Sequence, residues 1–204
     1  MPKDKTDTHE KIIRAAREEF MEKGFEQASM RSIAGRVGMS AAGLYRHFED
    51  KEALFSALVE PALRACHAWA ETRKALDYAY LDEDTLYKMW DGRGETGLIL
   101  DVVYPEFEAF KLLICRCEGT KYASFLHDMV MLEQKETLAF MDAARKKGFP
   151  VKEVREEELH LLLSAYVNAL FEVVVHDFPQ EEAKHYLKTF QEFFYPGWRA
   201  ILGL

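Results

Sequence analysis

The chain has 204 residues, 49% apolar and 30% charged, which excludes a disordered or collagen-like protein and leaves enough apolar side chains for a core. Its longest nearly apolar stretch, Leu161 to Val175, is broken by Ser164, Asn168 and Glu172 and falls short of the ~20 residues a spanning helix needs. Charges near the N-terminus where a secretory signal has its apolar run, and only three cysteines, lead to the expectation of a cytoplasmic chain without disulfides or membrane contact. The net charge of −8 is unevenly placed: residues 1–51 hold 10 basic against 9 acidic side chains, so the N-terminal end alone tolerates phosphate.

Helical periodicity runs through almost the whole chain, and the one β-branched run, Val173 to Val175, sits inside a helical pattern, so the expected fold class is all-α. Ile12, Ile13, Ala16 and Phe20 define a first helix over about 8–23, stopped by Gly24. Ser29 caps a short helix from Met30 to Val37, and Ser40 caps a second from Ala41 to Phe48. Gly38-Met39 alone separates them, and a glycine there turns the chain sharply through a left-handed conformation. Asp50 caps a fourth helix over about 51–76, in which Pro61 predicts a kink. Further helices are expected near 82–90, 96–103, 105–117, 120–146, 153–177 and 180–195.

A helix followed by two short helices about a glycine turn is the helix-turn-helix pattern, whose second short helix enters the major groove. Ile33, Ala34, Val37, Leu44 and Phe48 can pack together and on Phe20, which leaves Arg31, Arg36, Ala41, Ala42, Tyr45, Arg46, His47 and Lys51 for the outside. That face suits phosphates. Ala41 and Ala42 offer methyl groups to thymine, and Arg46 is a candidate for guanine or for a phosphate.

The run from Ala28-Ser29-Met30-Arg31 through Val37-Gly38-Met39-Ser40 to Leu44-Tyr45-Arg46-His47-Phe48-Glu49-Asp50-Lys51-Glu52 resembles the DNA-binding region of TetR/AcrR-type transcriptional regulators. The resemblance covers about residues 8–58; Ala41-Ala42-Gly43 departs from it, because many relatives carry Lys or Arg followed by Gly just after the capping serine. It implies an N-terminal three-helix DNA-binding domain over 1–51 and a C-terminal helical domain for effector binding and dimerisation over 52–204. It further implies a homodimer on a double-stranded operator, released by a small molecule. Carried over residue by residue, Tyr45 and His47 donate to phosphates, Lys51 meets the backbone from the fourth helix, and Ser29 and Arg31 approach it from the second; Ser40, Ala41, Ala42 and Arg46 complete the DNA-facing set.

Other motifs point away from catalysis and cofactors. Gly92-Arg93-Gly94-Glu95-Thr96-Gly97 satisfies a dinucleotide-binding pattern but follows a helical segment where that fingerprint needs a strand, so a loop is expected. Cys115 and Cys117, two apart on a helix, point about 200° from each other and share no metal. No catalytic constellation and no metal set is read.

His160, Ser164, Asn168, Glu172 and His176 recur every four residues as a polar stripe on an otherwise apolar helix, facing water, a partner or a ligand cavity. Aromatic residues are dense between Trp69 and Phe125, which favours a hydrophobic or aromatic effector, with Cys66, Tyr104, Phe107, Phe110 and Asn168 as candidate walls. The effector is expected to act on the far half of the fourth helix, taken as the only connection between the two domains. Ala165, Ala169 and Val173, with Tyr186, Phe190, Phe193 and Phe194, offer an apolar surface for a four-helix dimer interface. The alternatives are a dimeric DNA-binding regulator without a ligand, and an enzyme with an unrecognised site.

Overall fold

The computed structural model describes residues 3–90 and 94–203, with side chains from residue 7. Among the described residues it is helical without strands, as the periodicity requires. In chain order the helices are α1 (Lys3–Gln27), α2 (Met30–Arg36), α3 (Ala41–Leu44), α4 (Lys51–Asp82), a 3-10 turn (Leu86–Trp90), α5 (Gly94–Gly97) running into a π-helical turn (Leu98–Val103), α6 (Phe107–Cys115), α7 (Phe125–Lys146), α8 (Glu156–Val175) and α9 (Gln180–Leu202).

The chain forms two compact units, one of residues 1–64 with 106–123 and the other of 65–105 with 124–204. The boundary drawn at 51/52 from the sequence falls inside the first unit, and α6 joins that unit although it lies far along the chain. The fourth helix is therefore not the only connection, since the chain passes between the units at 64/65, 105/106 and 123/124. Polar contacts explain where α6 goes: Arg17 reaches Glu108 at 2.9 Å, the Phe25 amide donates to the Arg116 carbonyl at 2.9 Å, and the Tyr122 hydroxyl meets Ser56 at 2.9 Å.

The first unit's core is Ile12, Ala16, Phe20, Ile33, Ala34, Leu44, Leu54, Phe55 and Val59, with Phe55 edge-on to both Phe20 and Phe25. Helix α1 breaks at the expected glycine, where Gly24 adopts φ 74° and ψ 168°. Helix α4 continues through Pro61 as one helix past the expected end near 76.

In the second unit α8 is the core helix, burying Leu159, Leu163, Tyr166, Val167, Leu170, Phe171, Val173 and Val174. By length and composition it could also cross a membrane, and a core helix passes that same test. The glycine-patterned segment is not all loop: Gly94–Gly97 is helical, while residues 92 and 93 lie outside the described residues. Helix α6 ends at Cys115, so the helical argument separating the two thiols does not apply; Cys117 is buried and its thiol donates to the Leu113 carbonyl at 2.8 Å.

Candidate nucleic-acid interface

Three side-chain caps and one glycine set the local frame. Ser29 Oγ accepts from the Ser32 amide at 3.1 Å, Ser40 Oγ accepts from the Gly43 amide at 3.1 Å, and Asp50 Oδ1 accepts from the Ala53 amide at 2.6 Å. Gly38 has φ 71°, the left-handed value that the two-residue turn demands. The second short helix is shorter than the pattern suggested. After Leu44 the chain tightens, with the His47 amide bonded to the Leu44 carbonyl at 2.9 Å, and this turn carries Tyr45 to His47 outward.

The predicted contacts fall into two groups. Arg31, Tyr45, Arg46 and His47 are exposed, and their side chains make no hydrogen bond or ion pair among the described residues. Tyr45 is 51% exposed, too much for a core tyrosine. Ser29, Ser40 and Ala42 are exposed beside them and Ala41 is half-buried, so the unengaged donors surround methyl groups and capping hydroxyls. Such a surface can donate to phosphate oxygens and to base edges.

Lys51 and Arg36 belong to the other group. The Lys51 ammonium donates to the carbonyls of Phe25, Glu26 and Ala28 at 2.6, 3.1 and 3.0 Å, and it sits 4.3 Å from the centre of the Phe25 ring. An ammonium has three protons, and all three are directed at the corner between α1 and α2. The phosphate role expected for Lys51 therefore gives way to a structural one. Arg36 is likewise held, by Glu18, Glu19 and Glu22 of α1. Burial raises the Glu19 carboxyl, but hydrogen bonds from Lys23 and Ser32 and the charges of Lys23 and Arg36 outweigh it and hold the group below its ordinary value. Sequence reading passed over Arg14, which is exposed, has no side-chain partner among the described residues and lines an open groove of about 520 Å³ with Lys11, Arg36 and Val37.

The candidate effector walls do not converge in one unit. Phe107 and Phe110 belong to the first unit, and Cys66, Tyr104 and Asn168 to the second. Cys66 is half-buried, and burial pushes its thiol up to about 11. The Tyr104 hydroxyl donates to the Phe178 carbonyl at 2.7 Å, and exposed Asn168 donates to the Ser164 carbonyl of its own helix at 2.7 Å. At the ends of the polar stripe His160 meets Gln134 at 3.0 Å and His176 meets Glu172 at 2.9 Å.

A polar cluster that sequence reading missed does converge in the second unit. Tyr195 donates to Glu95 at 2.6 Å and Gln191 donates to Thr96 at 2.7 Å, joining α9 to α5. Gly94 allows this approach, because a Cβ there would stand 2.9 Å from the Tyr195 hydroxyl. Arg73 pairs with Asp77 at 2.8 Å along α4, and Lys74 of α4 reaches Glu136 of α7 at 2.6 Å.

The expected dimer surface is partly corrected. Val173 and Phe190 are 0% and 3% exposed, so they are core and offer nothing to a partner. The Tyr186 hydroxyl is bonded to the Ala169 carbonyl at 2.6 Å, and Phe194 is half-buried against Tyr166. Apolar surface remains at Leu161, Leu162 and Val175 of α8, beside exposed Ala165, and at Phe193 of α9, which is 77% exposed.

Two capped short helices about a left-handed glycine, presenting unengaged arginines, define the class: a helix-turn-helix nucleic-acid-binding region. Residues 12–58 match the family model of bacterial regulatory proteins of the tetR family. The transcriptional regulator UidR of Escherichia coli K12 is 32% identical over 98 residues, 47% of this chain and 50% of that one, so the match spans about half the length of this relative. The transcriptional repressor AcnR of Corynebacterium diphtheriae is 41% identical over 63 residues, 30% of this chain and 33% of that one. In fold, two crystal structures of NalD from Pseudomonas aeruginosa, the secondary repressor of the MexAB-OprM efflux pump, match at TM-scores of 0.53 and 0.56. Both are 20% identical and cover 92% of this chain and 95% and 96% of theirs, so the likeness extends through the C-terminal helices. Residues 12–58 thus form a helix-turn-helix region of the tetR type.

Proposed function

We propose that this protein regulates transcription as a repressor, docking on a palindromic operator as a homodimer and leaving it when a small aromatic effector binds in the second unit. The observation that carries the DNA reading is the set Arg31, Tyr45, Arg46 and His47, exposed and unengaged around two capped helices whose other cations are tied down. Ser29, Ser40, Ala41 and Ala42 complete that surface. Two copies give two recognition helices, which must lie about 34 Å apart to enter successive major grooves. Its place of action is then the cytoplasm, with the DNA.

Exposed Leu161, Ala165 and Phe193 support dimerisation through α8 and α9. Selection of duplexes from a random pool tests the DNA reading: a palindromic consensus is expected, and no enrichment would overturn it. Sedimentation of Ala165→Glu and Phe193→Glu tests the assembly. Monomers are expected, and folded dimers from both variants would move the interface elsewhere.

A further inference from the structure

Helices α7 and α8 bring two histidines together on the surface of the second unit. His127 of α7 is exposed, His160 of α8 is half-buried, and their ring centres stand 6.2 Å apart with the ring planes at 67°. Gln134 of α7 sets the chemistry of the pair. Its amide nitrogen donates to the Glu156 carbonyl at 3.3 Å, so its amide oxygen is the atom that meets His160 Nδ1 at 3.0 Å. An oxygen there can only accept, so Nδ1 carries the ring proton and Nε2 keeps a free lone pair. Histidines that ligate metals are held in this same way, by an acceptor on the nitrogen that does not bind the ion.

The helix register adds a third group. His127, Met131 and Gln134 share one face of α7, and His160 touches the first and the last of them. Met131 therefore lies on the stretch of α7 that His160 faces, and it is 47% exposed instead of packed in the core. No third histidine, cysteine or carboxylate completes the group among the described residues, and the neighbouring Asp128 is bonded to the Ser124 hydroxyl at 2.7 Å. Two imidazoles on one ion, at about 2 Å per nitrogen, place their ring centres about 5 Å apart at a tetrahedral angle and about 6 Å apart on a straight line. The observed spacing matches the wider arrangement. No local spacing links these residues, so the sequence shows no metal set.

We infer that His127, His160 and Met131 form a copper(I) site, the two imidazoles binding at a wide angle and the thioether completing the set. Zinc takes four ligands in a tetrahedron, and these residues do not supply them. A soft thioether selects copper(I), which imidazole also suits. The cysteines compete poorly as thiolates: burial pushes the Cys66 thiol up to about 11, and it also raises that of Cys117, whose proton is given to the Leu113 carbonyl. The site goes beyond the regulatory reading above, and it stands whether or not the protein takes an aromatic effector.

The test offers copper(I), as its acetonitrile complex and without oxygen, to the whole protein carrying methyl-labelled methionine, and follows the methionine methyl signals by nuclear magnetic resonance. The Met131 signal, identified by its loss in Met131→Leu, should shift as copper is added, and zinc offered alone should leave it in place. His127→Gln should raise the copper concentration needed for that shift tenfold or more. A stationary Met131 signal, an equal shift with zinc, or an unchanged copper requirement in His127→Gln would each overturn the proposal. Reading at Met131 keeps copper held by cysteines out of the result. Comparing copper with zinc on the unaltered protein keeps it decisive should the variant fail to fold.

Discussion

Replacing Lys51 by Met separates a structural lysine from a DNA-contacting one. The ammonium donates to three carbonyls at 2.6 to 3.1 Å at the end of α1, and it lies over the Phe25 ring. A fully buried hydrogen bond from a charged donor contributes roughly 1.5–3 kcal/mol, and Lys51 is half-buried, so the three together contribute about 2–3 kcal/mol. Methionine keeps most of the apolar stem and removes the donors. At roughly 2–4 °C per kcal/mol for a chain of this size, Tm should fall by about 5–10 °C. Affinity for selected DNA should weaken through poorer positioning of α2, while the slope of log K against log salt stays within error of the parent. A Lys51→Met protein of undiminished Tm whose salt slope flattened by about 0.9 would refute the reasoning, because it would place the ammonium on a phosphate.

Arg31→Ala should flatten the salt slope by about 0.9 per contact and weaken all duplexes alike, whereas Arg46→Ala should relax preference at one base pair of each half-site; fluorescence anisotropy across salt concentrations and operator variants reads both. Glu19→Gln should cost about 2 kcal/mol in urea unfolding at pH 7, since it loosens Lys23 and Arg36 together. The Glu19 carboxyl is depressed below 4.5, so its stabilisation is present above that pH and is lost as pH falls through the folded value; the deficit of the variant should vanish there. Glu133 has the opposite sign. With its folded value near 7 against an ordinary 4.5, the folded state holds more protons between these values, so its contribution falls as pH rises through that window. Glu133→Gln should therefore gain stability relative to the parent between pH 5 and 7.5, and parallel profiles would show that Glu133 is solvated like a surface carboxylate.

What was legible in the sequence is what is local in the chain. Ser29 and Ser40 cap backbone amides three residues away, and Gly38 occupies its left-handed φ because the turn it makes has only two residues. Arg36 and Lys51 look in the sequence like Arg31 and Arg46, and nothing beside them in the chain marks them as engaged. The partners of Arg36 lie on α1, and those of Lys51 are backbone carbonyls, which every residue has and no residue type signals. The same limit hid the second-unit cluster. Glu95 sits inside a glycine pattern that drew attention to nucleotides. Phe110, a candidate effector wall in the sequence, is a fully buried side chain of the first unit, because the return of α6 to that unit is a tertiary choice that no local pattern signals.

Helix α4 carries one end of each proposed event. Its first residue, Lys51, holds the corner of α1 and α2, and its later turns carry Arg73, Lys74 and Asp77 of the polar cluster. If α4 transmits the binding of the effector proposed for the second unit, binding of effector and of DNA must be linked, and linkage is reciprocal: saturating DNA weakens the effector by the factor by which the effector weakens DNA, about 5- to 150-fold for 1–3 kcal/mol of coupling. Lys51→Met touches neither ligand yet removes the three bonds between α4 and the helix-turn-helix corner. The coupling factor should therefore fall towards one in that variant, even where effector affinity in the absence of DNA equals that of the parent. Measuring the effector dissociation constant with and without saturating DNA, in parent and variant, gives both factors. Equal coupling in the two proteins would show that the signal bypasses this clamp and runs through the other two passages of the chain, at 105/106 and 123/124.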